Sequence, residues 1–160
     1  ERLTRINVDG ARAARETASL AGVGRFVHVS HVSAYGDRGG ALVREGERPD
    51  PAFADTFAGG TRAKAQGEAM DAGASSGVIV VVPGQAYDPA TPQPADSEFA
   101  VWRGERFWIL SGAQALRHWT PVDRLAQGLC DVVERGTPGA VYHLAGPAGT
   151  AASPWSSSRS

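Results

Sequence analysis

The stretch Phe26-Val-His-Val-Ser-His-Val-Ser-Ala-Tyr-Gly36 decides the predicted fold. In residues 26–30, β-branched side chains alternate with aromatic and polar ones, a pattern typical of a short buried strand. The stretch leaves this strand with hydroxyls and an imidazole and turns at its last two residues. In open α/β sheets ligands bind just outside the carboxyl ends of the strands, so we expect a site at Ser30, His31 and Ser33.

Apolar periodicity and turn residues define the other elements. Small and apolar residues recur at helical spacing from Leu3 to Ala21, and Gly22 is expected to cap that helix. Further patterns predict a helix over about residues 60–72, a buried strand over Val78–Val82, an edge strand over Phe107–Leu110, a helix over Pro121–Glu134 and a strand over Ala140–Leu144. The alternation of helices and strands predicts an α/β domain with a doubly wound parallel sheet.

Length and composition limit the class of protein. A chain of 160 residues favours one domain, and we assign residues 1–149 to it and residues 150–160 to a disordered tail. Because the chain opens inside a predicted helix without a methionine, the domain is expected to be partial. Sixteen basic and seventeen acidic residues offer no electrostatic footprint for nucleic acid or a membrane surface. No signal peptide or membrane-spanning run is visible, so a cytoplasmic location is expected.

Cysteine and histidine give no sign of a metal site. Cys130 is the single cysteine, which excludes an internal disulfide. It lies in the apolar stripe of the last predicted helix, so we expect a small buried side chain rather than a nucleophile. The four histidines have no ligand spacing with Cys130 or with paired carboxylates, and no metal is predicted.

The helix predicted over residues 60–72 carries the only lysine of the chain. Ala63 and Met70 share the face expected to pack, whereas Gln66 is expected to face water. Lys64 stands in a chain that otherwise uses fifteen arginines, and lysine and arginine do different chemistry. This contrast favours a specific role for Lys64.

Six segments, in this order, resemble the extended short-chain dehydrogenase/reductase family, in its NAD-dependent epimerase/dehydratase group. They are Asn7–Gly10, Gly22–Gly36, Thr61–Glu68, Val82–Pro89, Arg117–Ala126 and Gly139–Ala145. The resemblance covers about residues 6–146 and implies a partial Rossmann-like fold without its N-terminal βαβ units. The glycine-rich GxxGxxG turn that receives the cofactor's pyrophosphate would then lie upstream of Glu1.

The resemblance also implies an activity. The cofactor would be NAD or NADP, and the reaction an oxidoreduction, epimerisation or dehydration of a hydroxyl-bearing small molecule, with nucleotide sugars as one class. A homodimer is left open. The family's chemistry uses a tyrosine four residues before a lysine, so that the ammonium lowers the pKa of the phenol. A serine or threonine just after the strand helps to polarise the substrate oxygen.

Matched position by position, the catalytic motif is degenerate. Lys64 fills the lysine position, whereas Gly60 stands where the tyrosine is expected and His31 where the nearer hydroxyl is expected. The catalytic candidates that the resemblance implies are Lys64, His31, Ser30 and Ser33. The cofactor-binding candidates are Lys64, Ser30, Pro83, Gly84 and Gln85, and the substrate-binding candidates are Tyr35, Tyr87 and Arg117.

Three interpretations stay open. The protein is an enzyme that uses His31 or Thr61 in place of the phenol, or a non-catalytic relative that binds a cofactor, a ligand or a partner subunit. In the third, it is a truncated product whose exposed sheet edge promotes association.

Overall fold

The computed structural model describes residues 1–36, 38, 41–53, 57–88, 90, 100–103, 106–109, 116–146 and 148–150. The predicted disordered tail, residues 150–160, lies outside this set except for Thr150.

The described helices lie where the sequence analysis predicts them. The first runs over residues 2–20 as α1 (Arg2–Thr4), a π-helical segment (Arg5–Gly10) and α2 (Ala11–Leu20). Gly22 follows with a φ of +72°, which confirms the predicted cap. The other helices are α3 (Phe57–Ala72) and α4 (Val122–Arg135), with short 3-10 turns at Val32–Ala34, Pro51–Phe53 and Ala74–Ser76. None of these described helices has the length and apolar character needed to cross a membrane.

Three parallel strands form the central sheet. The described strands are β1 (Phe26–Val29), β2 (Val78–Pro83), β3 (Gln85–Tyr87), β4 (Ala100–Arg103), β5 (Arg106–Ile109), β6 (Leu116–Pro121), β7 (Val141–Leu144) and β8 (Ala148–Thr150). Both β1 and β7 pair in parallel with β2, which lies between them. This arrangement confirms the predicted α/β class and the parallel sheet.

Two smaller sheets complete the described fold. In one, β6 pairs in parallel with β3 and antiparallel with β8. In the other, β4 and β5 form an antiparallel pair. The edge strand predicted over Phe107–Leu110 corresponds to β5. We did not predict β3, β4, β6 or β8, because each lacks a run of β-branched residues.

The core is built on β2, in which every residue is buried. On one face of the sheet, Tyr35 and Ala69 pack in a cluster with Val80. On the other face, Val132 of α4 packs against Ile79. Because helices cover both faces, the strand is apolar at each position instead of alternating. The side chains of Ile79, Val80 and Val132 each contribute about 1.5–3 kcal/mol through their burial.

The prediction that Cys130 is buried is wrong. Leu129 and Val132 turn toward the sheet, whereas Cys130 is exposed. Val133, one turn further along, is also exposed. The apolar stripe of α4 is therefore wider than the face that the sheet covers, so helical spacing alone does not predict burial here.

The two edges of the central sheet differ. At β7, the backbone N–H of His143 donates a hydrogen bond of 2.7 Å to Oε1 of Glu45. At β1, no described strand pairs with the outer edge, and the side chain of Val29 is 51% exposed. A side chain thus covers part of one edge, while the other edge remains unpaired within the described part of the chain.

The entry to β2 gives a test of the fold. Gly77 has a φ of +66°, and a Cβ there would lie 2.5 Å from the carbonyl oxygen of Gly24. Gly22 also has a positive φ, with open space around its Cα. We expect Gly22→Ala to lower the free energy of unfolding by about 1–2 kcal/mol, from backbone conformation alone. Gly77→Ala should cost about 1–3 kcal/mol more, because the backbone must also move.

Urea unfolding of the two variants measures this difference. Equal losses of stability in Gly77→Ala and Gly22→Ala would show that the approach to Gly24 does not constrain the start of β2.

Candidate functional site

The strands of the central sheet end side by side, as parallel strands must. The N–H of Ser30, the first residue after β1, donates to the carbonyl oxygen of Val81 at 2.8 Å. The N–H of Gly84, just after β2, donates to the carbonyl oxygen of Leu144 at 2.9 Å. Ser30 and Pro83 therefore both lie at the carboxyl ends of the parallel strands, where ligands of open α/β sheets bind.

A cavity of about 310 Å³ lies beside the end of β1. Its wall combines residues of the first helix, β1 and α3, and its polar members are Asn7, His28, Ser30 and Arg62. The volume is at the lower end of small-molecule sites, roughly 300–1,000 Å³. An amide, an imidazole, a hydroxyl and a guanidinium thus share one small space.

The residues after β1 form a polar turn held by His31. Nδ1 of His31 accepts the backbone N–H of Ser33 at 3.1 Å and lies 3.0 Å from its Oγ. The proton of a neutral His31 ring is therefore on Nε2. Nη1 of Arg62 donates to Oγ of Ser33 at 2.8 Å, which brings a cation of α3 to the end of β1.

The π-helical segment joins the first helix to α3 through Asn7. Its Nδ2 donates to Oγ1 of Thr61 at 2.8 Å, and that hydroxyl donates to the carbonyl oxygen of Ala58 at 2.9 Å. Thr61 is buried and its one hydroxyl hydrogen is in use. In this arrangement Thr61 stabilises the helix contact and has no proton to offer a ligand.

Lys64 lies on the exposed side of α3 and is not among the residues that line the cavity. The nearby Glu68 accepts two hydrogen bonds from Arg12, at 2.6 and 3.0 Å. These bonds lower the pKa of Glu68, and the charge of Lys64 acts in the same direction. At the cavity itself, the cation that α3 provides is Arg62.

Gln66, expected to face water, is completely buried, so that prediction is wrong. Oγ of Ser30 donates to its Oε1 at 2.6 Å, and its Nε2 donates to the hydroxyl of Tyr35 at 2.9 Å. Hydrogen bonds at both ends of the amide explain why it tolerates burial. Its spacing of three residues from Ala63 and Ala69, both buried, was the available sequence signal.

Tyr35 continues this chain of hydrogen bonds into the core. Its hydroxyl lies 3.2 Å from Nε2 of His143 and donates to the carbonyl oxygen of Glu47 at 3.4 Å. The ring is 3% exposed, and burial raises the pKa of the phenol. The phenol therefore stays protonated near neutral pH.

The predicted residues of the β2–β3 segment are not among those that line the cavity. Pro83 and Gly84 are buried, and the Gly84 N–H is already used by Leu144. Gln85 and Tyr87 belong to β3, where the Tyr87 ring meets the Trp119 ring edge-on at 6.2 Å between centroids.

Arg117 is in β6, and its side chain lies outside the described residues. Within the described set, no group of three or more histidine, cysteine or acidic residues is placed to hold a metal ion.

No family model and no curated protein matches the chain. Solved structures do match. The crystal structure of gox2253 has a TM-score of 0.72 at 20% identity, covering 97% of this chain and 48% of that one. DesIV, a dTDP-glucose 4,6-dehydratase from Streptomyces venezuelae with NAD and TYD bound, has a TM-score of 0.67 at 23% identity, covering 88% and 44%. MoeE5 in complex with UDP-glucuronic acid and NAD has a TM-score of 0.67 at 25% identity, covering 90% and 50%.

These matches confirm the partial Rossmann-like fold. The chain spans about half the length of the solved structures it matches. The matched proteins include dehydratases and a nucleoside-diphosphate-sugar epimerase. The fold that these matches show is the one that the resemblance to the extended short-chain dehydrogenase/reductase family implies.

His28, which lines the cavity, should make the stability of the fold depend on pH. Burial, and secondarily the charge of Arg15, lowers the pKa of His28 from its ordinary value of 6.5. The unfolded chain binds this proton more readily, so the free energy of unfolding should fall as pH drops through about 6.5 and level off below the folded pKa.

His28→Gln should flatten this part of the stability profile, measured by urea unfolding between neutral and mildly acidic pH. Arg15→Gln is the matched control. It removes only the charge that adds to the effect of burial, so the pH range over which stability changes should become narrower but should not disappear. An unchanged profile in His28→Gln would contradict the assignment.

Proposed function

Because the chain has the fold of the extended short-chain dehydrogenase/reductase family, we propose that it provides the nicotinamide- and substrate-facing part of an NAD(P)-dependent epimerase or dehydratase. The substrate class is a hydroxyl-bearing molecule, with nucleotide sugars favoured. The observation that carries the proposal is the position of Ser30, which directly follows β1 and lines a polar cavity together with Arg62. Ligands of this fold class bind at that edge of the sheet.

The cavity suits part of an anionic, hydroxyl-rich ligand. The guanidinium of Arg62 is a donor-only group of the kind that binds phosphate and carboxylate oxygens. DesIV and MoeE5 were solved with NAD and with nucleotide ligands, which supports this class. When bound, the nicotinamide supplies hydride transfer to or from a substrate carbon. Ser30 and Arg62 would orient the ligand.

We assign to His31 the role of the missing hydroxyl, which is to polarise the substrate oxygen. His31 stands at the expected hydroxyl position, and its Nδ1 is held by the backbone N–H of Ser33. This contact fixes the ring and puts the proton of the neutral imidazole on Nε2, so that Nε2 is a hydrogen-bond donor, as polarising a substrate oxygen requires. The alternative donor Thr61 is engaged with Ala58.

A second candidate function is a non-catalytic ligand-binding or subunit-interaction module. Gly60 favours it, because no phenol precedes Lys64 by one turn. The exposed side chains of Ile6 and Leu20 favour association through the first helix, in line with a homodimer. A cytoplasmic location belongs to both candidates, since the chain has one cysteine and no internal disulfide.

Gly60→Tyr tests the proposed chemistry. If the missing phenol limits the reaction, this variant should raise turnover of dTDP-glucose or UDP-glucuronic acid with NAD⁺ or NADP⁺ by about 100-fold, the usual size of general acid–base catalysis. Gly60→Phe adds the same ring without the hydroxyl and should leave turnover unchanged. Chromatographic detection of the modified sugar measures both.

Calorimetric titration of the unsubstituted protein with the same cofactors and sugars tests binding. Failure of all four to bind overturns the proposal. Binding without turnover, in the unsubstituted protein and in Gly60→Tyr alike, supports the non-catalytic candidate. If the unsubstituted protein is active and His31→Ala retains its full rate, the role given to His31 is wrong.

A further inference from the structure

Gln66 lies at a place where a polar side chain needs a reason. It is on the face of α3 that packs against the sheet, and it is completely buried. Methionine or leucine would fill such a position without the cost of desolvating an amide. The amide is retained between Ser30, which lines the cavity, and Tyr35, which lies in the core.

We propose that Gln66 is a positioning residue that holds the Ser30 hydroxyl as a hydrogen-bond acceptor toward the cavity, so that this wall selects ligand groups that donate a hydrogen bond. Sugar hydroxyls and a carboxamide N–H are such groups. The inference rests on the proposed function only for the identity of the ligand.

The orientation of the Gln66 amide fits the partners of Tyr35. The carbonyl oxygen of Glu47 can only accept a hydrogen bond, and Nε2 of His143 accepts or donates according to its tautomer. In either tautomer the phenolic oxygen keeps a lone pair for an N–H donor. In the structure Nε2 of Gln66 donates to this oxygen, and Oε1 accepts from Ser30.

The orientation of the amide decides what Ser30 offers to a ligand. A hydroxyl has one hydrogen, and Ser30 donates it to Oε1 of Gln66 at 2.6 Å. The lone pairs that remain on Oγ are acceptors. Arg62, on the same cavity wall, carries only donors. On this part of the wall Ser30 thus presents an acceptor and Arg62 presents donors, which fits a ligand with a hydroxyl or amide hydrogen near an anionic oxygen.

A double-mutant cycle separates positioning from packing. The variants are Ser30→Ala, Gln66→Met, which keeps the buried length but removes the amide, and the double variant. NAD⁺ and UDP-glucuronic acid are the probes, titrated calorimetrically into the full-length protein. We expect each single substitution to weaken binding of at least one probe by about fivefold, the value of one hydrogen bond. The double variant should bind within about twofold of Ser30→Ala, because both changes remove the same contact.

A purely structural role predicts a different result. If Gln66→Met weakens binding as much in the Ser30→Ala background as it does alone, the proposal is overturned. Gln66→Glu retains an acceptor for Ser30, so adding Ser30→Ala in the Gln66→Glu background should still weaken binding by about fivefold. This pair also serves as the test if Gln66→Met does not fold, and Ser30→Ala without effect on binding in that background then counts against the proposal.

Proton NMR tests the inference separately from the proposed function. The Ser30 hydroxyl proton should exchange slowly enough to be observed in the unsubstituted protein and in Gln66→Glu, and should be lost in Ser30→Ala and Gln66→Met. If neither probe binds and this proton behaves as stated, the proposed function fails while the positioning role stands. Absence of the resonance from the unsubstituted protein, or its survival in Gln66→Met, overturns the positioning role.

Discussion

The burial of β2 on both faces is the constraint on which the rest of the fold depends. A strand made of five consecutive β-branched residues before Pro83 cannot face water on either side, so one helix layer is needed above it and another below. α3 provides the first and α4 the second. The neighbouring strands β1 and β7 run parallel to β2, so all three have their carboxyl ends on the same side of the sheet, where Ser30 and Pro83 lie.

Core and site are therefore not separate parts of this molecule. The face of α3 that covers β2 with Ala69 also carries Gln66, and the hydrogen bonds of Gln66 extend from the cavity to Tyr35. An unsatisfied amide in this position would cost about 1–3 kcal/mol. The polar contact thus links the stability of the core to the geometry of Ser30.

The sequence predicted what local patterns encode. The β-branched run of β2 identified a strand covered on both sides, and the rule for strand ends located Ser30, His31 and Ser33 at one edge. The partner of Gln66 was not predictable, because helical periodicity says which residues share a face but not that a polar one finds two hydrogen-bond partners there. The exposure of Cys130 was missed for a related reason, since the width of an apolar stripe does not reveal how much of it a sheet covers. β3 and β6 depend on pairing between segments distant in sequence, and neither carries a local strand signal.

The two lateral edges of the central sheet, at β1 and at β7, differ in how readily another strand could pair with them. On the β7 side, the carboxylate of Glu45 accepts the backbone N–H of His143, which an added strand would need, and so blocks pairing at this position. On the β1 side, the N–H groups of Phe26 and Ser30 donate to the β2 segment. The backbone groups of Val27 and Val29 therefore point to the outer side, where an added strand would pair. A strand added to the described sheet would therefore pair along Val27 and Val29, beside the cavity. Its own side chains would then become part of the wall of the site.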